Sequence, residues 1–149
     1  MKIQQTMGIA ATIMLLALMM TACSSDTDSS RSDENESIPD TITIQGDGTL
    51  PKEFCERHGL DSKILMLESE YCSHCKATRP DFEQALENTG TEAEILDVSV
   101  KEDQERITEK YGLEIQYTPT FVFGCDYFVG VKTVDEYETL LEKTQQEGD

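Results

Sequence analysis

Apolar and polar positions along the chain follow two rhythms, and the switches between them mark out the elements. Thr41-Ile42-Thr43-Ile44 alternates with period two and predicts a short first strand, ended at Gly46-Asp47-Gly48. Pro51 suits the first turn of a helix that carries Phe54 and His58 one turn apart. Gly59 is a left-handed stop, and Leu60 covers the last turn. Ile64-Leu65-Met66-Leu67 is apolar without interruption, as in a strand covered on both faces. Phe82, Ala85 and Leu86 recur at helical spacing, which predicts a helix from Cys72 or Ser73 to Asn88, kinked at Pro80. Ala93 to Val100 reads as a second central strand. Asp103 to Tyr111 reads as a polar helix with Ile107 and Tyr111 inward, closed by Gly112. Thr120 to Phe123 is a strand, Gly124-Cys125-Asp126 a turn, and Tyr127 to Val131 the antiparallel return. Thr133 and Glu136 have the spacing of a capping box, opening a last helix with Val134, Tyr137 and Leu141 inward. The predicted order is β-α-β-α-β-α-β-β-α, an α/β fold with a mixed sheet of four to five strands and helices on both faces.

The pattern before Thr41 is of another kind. Lys2 precedes an apolar run from Met7 to Met20, the length of an export signal's core and too short for a spanning helix. Leu18-Met19-Met20-Thr21-Ala22-Cys23 resembles the lipobox of prokaryotic lipoproteins, with Met20 where leucine is commonest. That resemblance makes residues 1–22 a signal peptide and Cys23 the lipid-modified mature N-terminus; ordinary secretory cleavage nearby is the alternative. No arginine pair precedes the apolar run, which favours general secretion. Residues 23–40 carry Ser, Asp, Glu and Asn with almost nothing apolar, so they read as a solvated tether ahead of a domain at 41–147. Asn35-Glu36-Ser37 is a formal glycosylation sequon.

Charge then narrows the partners. The 149 residues hold 30 Asp+Glu against 12 Lys+Arg, a formal net charge of −18. Such a surface repels nucleic acid and anionic headgroups, so no nucleic-acid partner is expected. Solubility is the plain reading of the charge, and solvation at high salt the narrower one.

The chemistry sits in Cys72-Ser73-His74-Cys75. Two thiols at this spacing close a small disulfide ring, bind a metal or lie in a core. A pair that directly follows a strand and opens a helix points to thiol–disulfide exchange. One thiolate attacks and the other thiol resolves the mixed disulfide. Cys72, at the helix start, is the expected nucleophile, because free backbone N–H groups there favour an anion and lower the thiol's pKa. Cys75, one turn in, is the expected resolving thiol, and His74 adds a positive charge or a hydrogen bond. Cys55 and Cys125 remain: a structural disulfide, two separate buried thiols, or a regulatory or metal role. Cys55-Glu56-Arg57-His58 with Cys72 to Cys75 also has the C-x2-H…C-x2-C form compatible with zinc, although an apolar strand separates the halves.

These residues resemble the thioredoxin superfamily across the whole predicted domain. The carriers are an apolar strand ending in Tyr71, the Cys72–Cys75 motif, Pro80 five residues later, Tyr111-Gly112, and Thr118-Pro119-Thr120 before a hairpin. The resemblance implies a cis Thr118–Pro119 bond beside the cysteine pair, substrate contact at Tyr71, Thr118 and Pro119, and no cofactor beyond the redox-active disulfide itself. Two departures set the chain apart from thioredoxins proper. Met66 stands where they have a buried Asp, and Tyr71 and Ser73-His74 replace their Trp and Gly-Pro. A His before the second Cys is similar to exported disulfide oxidases, yet the roughly forty residues between Cys75 and Thr118 leave no room for their helical insertion. The expectation is a lipid-anchored, extracytoplasmic oxidoreductase acting on exported thiol or disulfide proteins with a membrane redox partner, the oxidase direction slightly favoured over reductase. The alternative is a non-enzymatic lipoprotein whose thioredoxin-like face holds a metal or a partner.

Overall fold

The structure, a computed structural model, describes residues 37–147. The signal peptide, Cys23 and the tether as far as residue 36 lie outside the described residues. Twelve segments follow in order. They are β1 (Ile42–Ile44), β2 (Gly48–Thr49), α1 (Lys52–Arg57), β3 (Ile64–Glu68), α2 (Ser73–Thr89) and β4 (Glu94–Asp97). Next come α3 (Lys101–Glu105), which runs on as a π-helical turn over Arg106–Lys110, then β5 (Leu113–Ile115), β6 (Thr120–Phe123), β7 (Asp126–Val129) and α4 (Val134–Glu147).

The main sheet has five strands in the order β2-β7-β6-β3-β4. β3 lies parallel to β4 and antiparallel to β6, and β7 returns antiparallel to β6 and β2. Because β3 is flanked on both sides, its alternate residues face opposite layers. Leu65 and Leu67 join Phe54, Cys55, Leu60, Ile107 and Tyr111 in one cluster. Ile64 and Met66 join Cys75, Phe82, Phe121, Phe128 and Tyr137 in the other. Burying each such side chain contributes about 1.5–3 kcal/mol, so two filled layers hold the sheet flat between helices. Phe82 is the hub of the second layer, with ring centroids 5.0 Å from Phe121 and 5.2 Å from Tyr137.

Three expectations from the sequence change here. The segment read as a second central strand is shorter, at Glu94–Asp97, and lies at the sheet's edge. Only Leu96 within it is fully buried, as befits a strand with one neighbour. Two strands were not foreseen. β2 adds to the hairpin, and β5 pairs in parallel with β1 as a separate two-stranded sheet. The polar helix begins earlier than expected, at Lys101, and its last turn widens so that the Tyr111 N–H donates to the Arg106 carbonyl. Thr108 accounts for part of this: its hydroxyl donates to the Gln104 carbonyl, the acceptor its own amide would use in an α-helix.

Elsewhere the local signals hold. Glu136 accepts from both the N–H and the hydroxyl of Thr133, each at 2.9 Å, at the start of α4. Gly112 (φ +64°) has no room for a side chain, since a Cβ would lie 2.6 Å from the His58 ring and 2.7 Å from the Asp40 carbonyl. Ile38, which the sequence places in the tether, instead packs against the first cluster, and its carbonyl accepts from Arg57, so the folded part begins before Thr41. Among the described residues, no helix is long and apolar enough to cross a membrane.

Candidate active site

Cys72 is the N-cap of α2, with extended backbone (φ −86°, ψ 109°). The position is built by the turn after β3. The Cys72 N–H donates to the Ser69 carbonyl at 2.9 Å, and the Glu70 N–H donates to an Asp97 carboxylate oxygen at 3.1 Å. The Cys72 sulfur stands where a Ser or Asp oxygen normally caps a helix, and it accepts the Cys75 N–H at 3.0 Å. A thiolate there gains that hydrogen bond and the positive end of the helix dipole.

Cys72 and Cys75 are joined as a disulfide, with Cα atoms 5.3 Å apart. Their exposure differs. Cys72 is half-buried at the surface, whereas Cys75 is 1 % exposed and packs in the second cluster. An incoming sulfur therefore reaches Cys72 and not Cys75. His74 is exposed on the first turn of α2 and makes no hydrogen bond or ion pair among the described residues.

The Thr118–Pro119 bond is cis. The Thr118 carbonyl oxygen lies 3.4 Å from Cys72 Sγ, and Pro119 is buried. In the disulfide this is a van der Waals contact; in the dithiol the Cys72 S–H has an acceptor there. The Thr120 hydroxyl donates to the Tyr117 carbonyl at 2.6 Å, and the Gly130 N–H donates to the Pro119 carbonyl at 2.9 Å. Both bonds tie the loop down. Tyr71 and Tyr117, 82 % and 59 % exposed, come from different segments, each one residue from a group at the site. Val131 is exposed beside Gly130 and Val100 beside the Asp97 loop.

The sequence reading missed Glu68. It lies on the same face of β3 as Met66, two residues on, and reaches Arg79 of α2, which also holds Glu83. Burial pushes its carboxyl above the usual range, with Arg79 pulling the other way. Period-two alternation past Leu67 would have placed it; a charge at the end of an apolar run looked like the strand's boundary.

Cys55 and Cys125 are also joined, with Cα atoms 5.6 Å apart, linking α1 to the β6–β7 turn. This removes the zinc arrangement that the spacing allowed. Cys55 is tied to Cys125 on one face of the sheet, Cys75 faces the other, and His58 Nδ1 lies 3.0 Å from the Lys110 carbonyl oxygen. Among the described residues, no group of three or more His, Cys, Asp or Glu side chains is placed to hold a metal ion.

The family model for thioredoxin matches residues 49–145. The chain belongs to the thioredoxin family. The solved structures to which this thioredoxin-family domain is similar include three thioredoxins. A chloroplastic thioredoxin z is 14% identical, with 71% of this chain and 95% of that one covered and a TM-score of 0.45. The thioredoxin of Malassezia sympodialis is 21% identical over 73% and 91%, with a TM-score of 0.41. The oxidised thioredoxin from Plasmodium falciparum is 22% identical over 69% and 96%, with a TM-score of 0.40. No curated protein matches the chain.

Proposed function

We propose that this thioredoxin-family protein is a thiol–disulfide oxidoreductase held by a lipid on Cys23 at the outer face of a cell membrane, where it oxidises exported proteins. The observation that carries the exchange chemistry is the asymmetry of the pair: an accessible Cys72 sulfur capping a helix, joined to a buried Cys75. The export reading rests on the signal-like segment ending at Cys23 and on the Cys55–Cys125 disulfide, a type of bond that persists in oxidising compartments.

In the oxidising direction a substrate thiolate attacks Cys72 Sγ. The Cys72–Cys75 bond breaks, and its electron pair leaves on Cys75, which takes up a proton. A second substrate thiolate then attacks the substrate sulfur of the mixed disulfide and expels Cys72 as a thiolate. The substrate gains a disulfide, and the pair holds two electrons until a membrane thiol–disulfide or quinone-class acceptor takes them. The helix N-terminus stabilises the departing Cys72 thiolate, and His74 follows it in the first turn of α2 as a basic side chain. Both favour the reduced form of the pair and hence the oxidising direction. Tyr71, next to Cys72 in the chain, and Tyr117, next to Thr118, offer broad amphipathic surfaces, and the Thr118 backbone lies against Cys72. Together they suit an extended segment of an unfolded polypeptide carrying its cysteine.

Trapping the thiols of Cys72 and Cys75 in intact cells tests the direction. An oxidase rests with the pair as a disulfide and has a potential well above that of thioredoxin. A pair found reduced in cells, with a potential near −270 mV or lower, makes the protein a reductase.

A further inference from the structure

Thr78 and Tyr137 are a polar pair in an otherwise apolar layer. Both are buried, at 2% and 0% exposure, between α2 and α4. Thr78 Oγ1 and Tyr137 Oη share a hydrogen bond of 2.7 Å, and Tyr137 Oη also accepts the Lys132 N–H at 3.3 Å. Burial pushes the phenol's pKa up, so the hydroxyl stays neutral across the working range of pH.

The place of this pair in the fold gives it a consequence. Thr78 lies three residues after Cys75 on α2, one turn deeper on the same side. Lys132 belongs to the loop between β7 and α4, whose Gly130 N–H donates to the Pro119 carbonyl at 2.9 Å. The neighbouring Thr118 carbonyl oxygen sits 3.4 Å from Cys72 Sγ, and that sulfur accepts the Cys75 N–H at 3.0 Å. Hydrogen bonds, the chain between them and the Thr118–Cys72 contact therefore close a ring. It runs from Cys75 down α2 to Thr78, across Tyr137 to the loop at Lys132 and Gly130, through Pro119 and Thr118, and back to Cys72. Directional hydrogen bonds within this ring couple the position of the loop to the cysteine pair.

We propose that Tyr137 and Thr78 are positioning residues, which hold the Thr118 carbonyl against Cys72 and so bias the cysteine pair toward its disulfide. The carbonyl oxygen carries partial negative charge. At 3.4 Å it is in van der Waals contact with the disulfide sulfur, accepts from a Cys72 S–H and repels a Cys72 thiolate, so wherever the helix N-terminus keeps Cys72 ionised it opposes the reduced form. The ring thus opposes the helix N-terminus, which favours the thiolate. Relaxing the ring lets the carbonyl draw back and makes the pair a stronger oxidant. The proposal rests on the exchange reading above, but its measurement is an equilibrium and needs no substrate protein.

The full-length chain in detergent is equilibrated with reduced and oxidised glutathione, and the fraction of Cys72–Cys75 disulfide is read by alkylation mass shift. Two glutathione thiols reduce the pair and leave as one glutathione disulfide, so the equilibrium is balanced. Tyr137→Phe keeps the ring packed against Phe82 and Phe121 and deletes the hydroxyl. Thr78→Val keeps the side chain's shape, and Thr78→Ser keeps the hydroxyl. The expected result is a shift of about threefold or more toward the dithiol in Tyr137→Phe and Thr78→Val, tenfold being about 30 mV, with Thr78→Ser at the wild-type value. Lower melting temperatures with unchanged potentials in both hydroxyl-deleting variants would overturn the proposal, as would a Thr78→Ser potential that follows Thr78→Val. A wild-type chain that turns over no protein substrate, yet shows these shifts, sinks the exchange reading and upholds the positioning role.

Discussion

The two disulfides join the same kind of atom and differ in almost everything else. Cys55–Cys125 spans 70 residues and ties α1 to the tip of the β6–β7 hairpin; Cys55 is fully buried, and the Cys125 carbonyl accepts the Leu50 N–H at 2.8 Å. Cys72–Cys75 spans three residues and closes a small ring on the opposite layer, with one sulfur at the surface. Each joins a buried cysteine to a half-buried one, so loop length and the helix cap separate the two. A long loop makes a crosslink restrict the unfolded chain strongly, whereas a three-residue loop restricts it little. The half-buried Cys125 lies in a turn, whereas the half-buried Cys72 caps α2, where the helix N-terminus makes its sulfur a stabilised leaving group. The first bond is suited to stability and the second to exchange.

The largest effect that separates them is on activity. Cys72→Ser is expected to reduce turnover to background in an insulin-reduction or refolding assay with its melting curve nearly unchanged; retained turnover removes Cys72 from the chemistry. Next comes stability. Replacing Cys55 and Cys125 together by Ala should cost about 4 kcal/mol by the chain-entropy estimate for a loop of this length. Urea unfolding measures the loss, and exchange by the still-folded fraction should persist. Equal loss of turnover would mean that the long-range bond also shapes the site.

The smallest effect concerns Glu68, whose carboxyl is raised by burial against the opposing pull of Arg79. The folded protein holds that proton more tightly than the unfolded chain. Glu68's contribution is therefore fully present below the ordinary Glu range and is lost as pH rises through the raised value. In Glu68→Gln that loss is absent. The urea midpoint of the variant, measured against wild type, should rise between mildly acid and neutral pH. A constant difference across that range would mean that Arg79 cancels the burial.

Much of this was legible because it is local. The apolar run of β3, the helix signal after it and the Thr-Pro-Thr before the hairpin place the cysteine pair at a strand–helix junction, and the Thr133–Glu136 cap marks the start of α4. The short strands were not legible. Gly48-Thr49 has no apolar residue, and Leu113-Glu114-Ile115 spans one alternation, too little to distinguish from a loop. Their strand character comes from partners at Tyr127 and Ile42, far away in the chain. The edge position of β4 was hidden for the same reason, since neighbour count is a property of the sheet.

By itself, then, the amino-acid sequence determined which residues open α2, which capping atoms are available there, and the alternation that sorts β3 into two layers. These follow from backbone sterics and side-chain spacing within a few residues. Only the tertiary structure decided which cysteine finds Cys125, that Glu68 meets Arg79, and that Thr78 meets Tyr137. Those choices depend on distances between elements tens of residues apart, and packing sets such distances only once both layers close on the sheet.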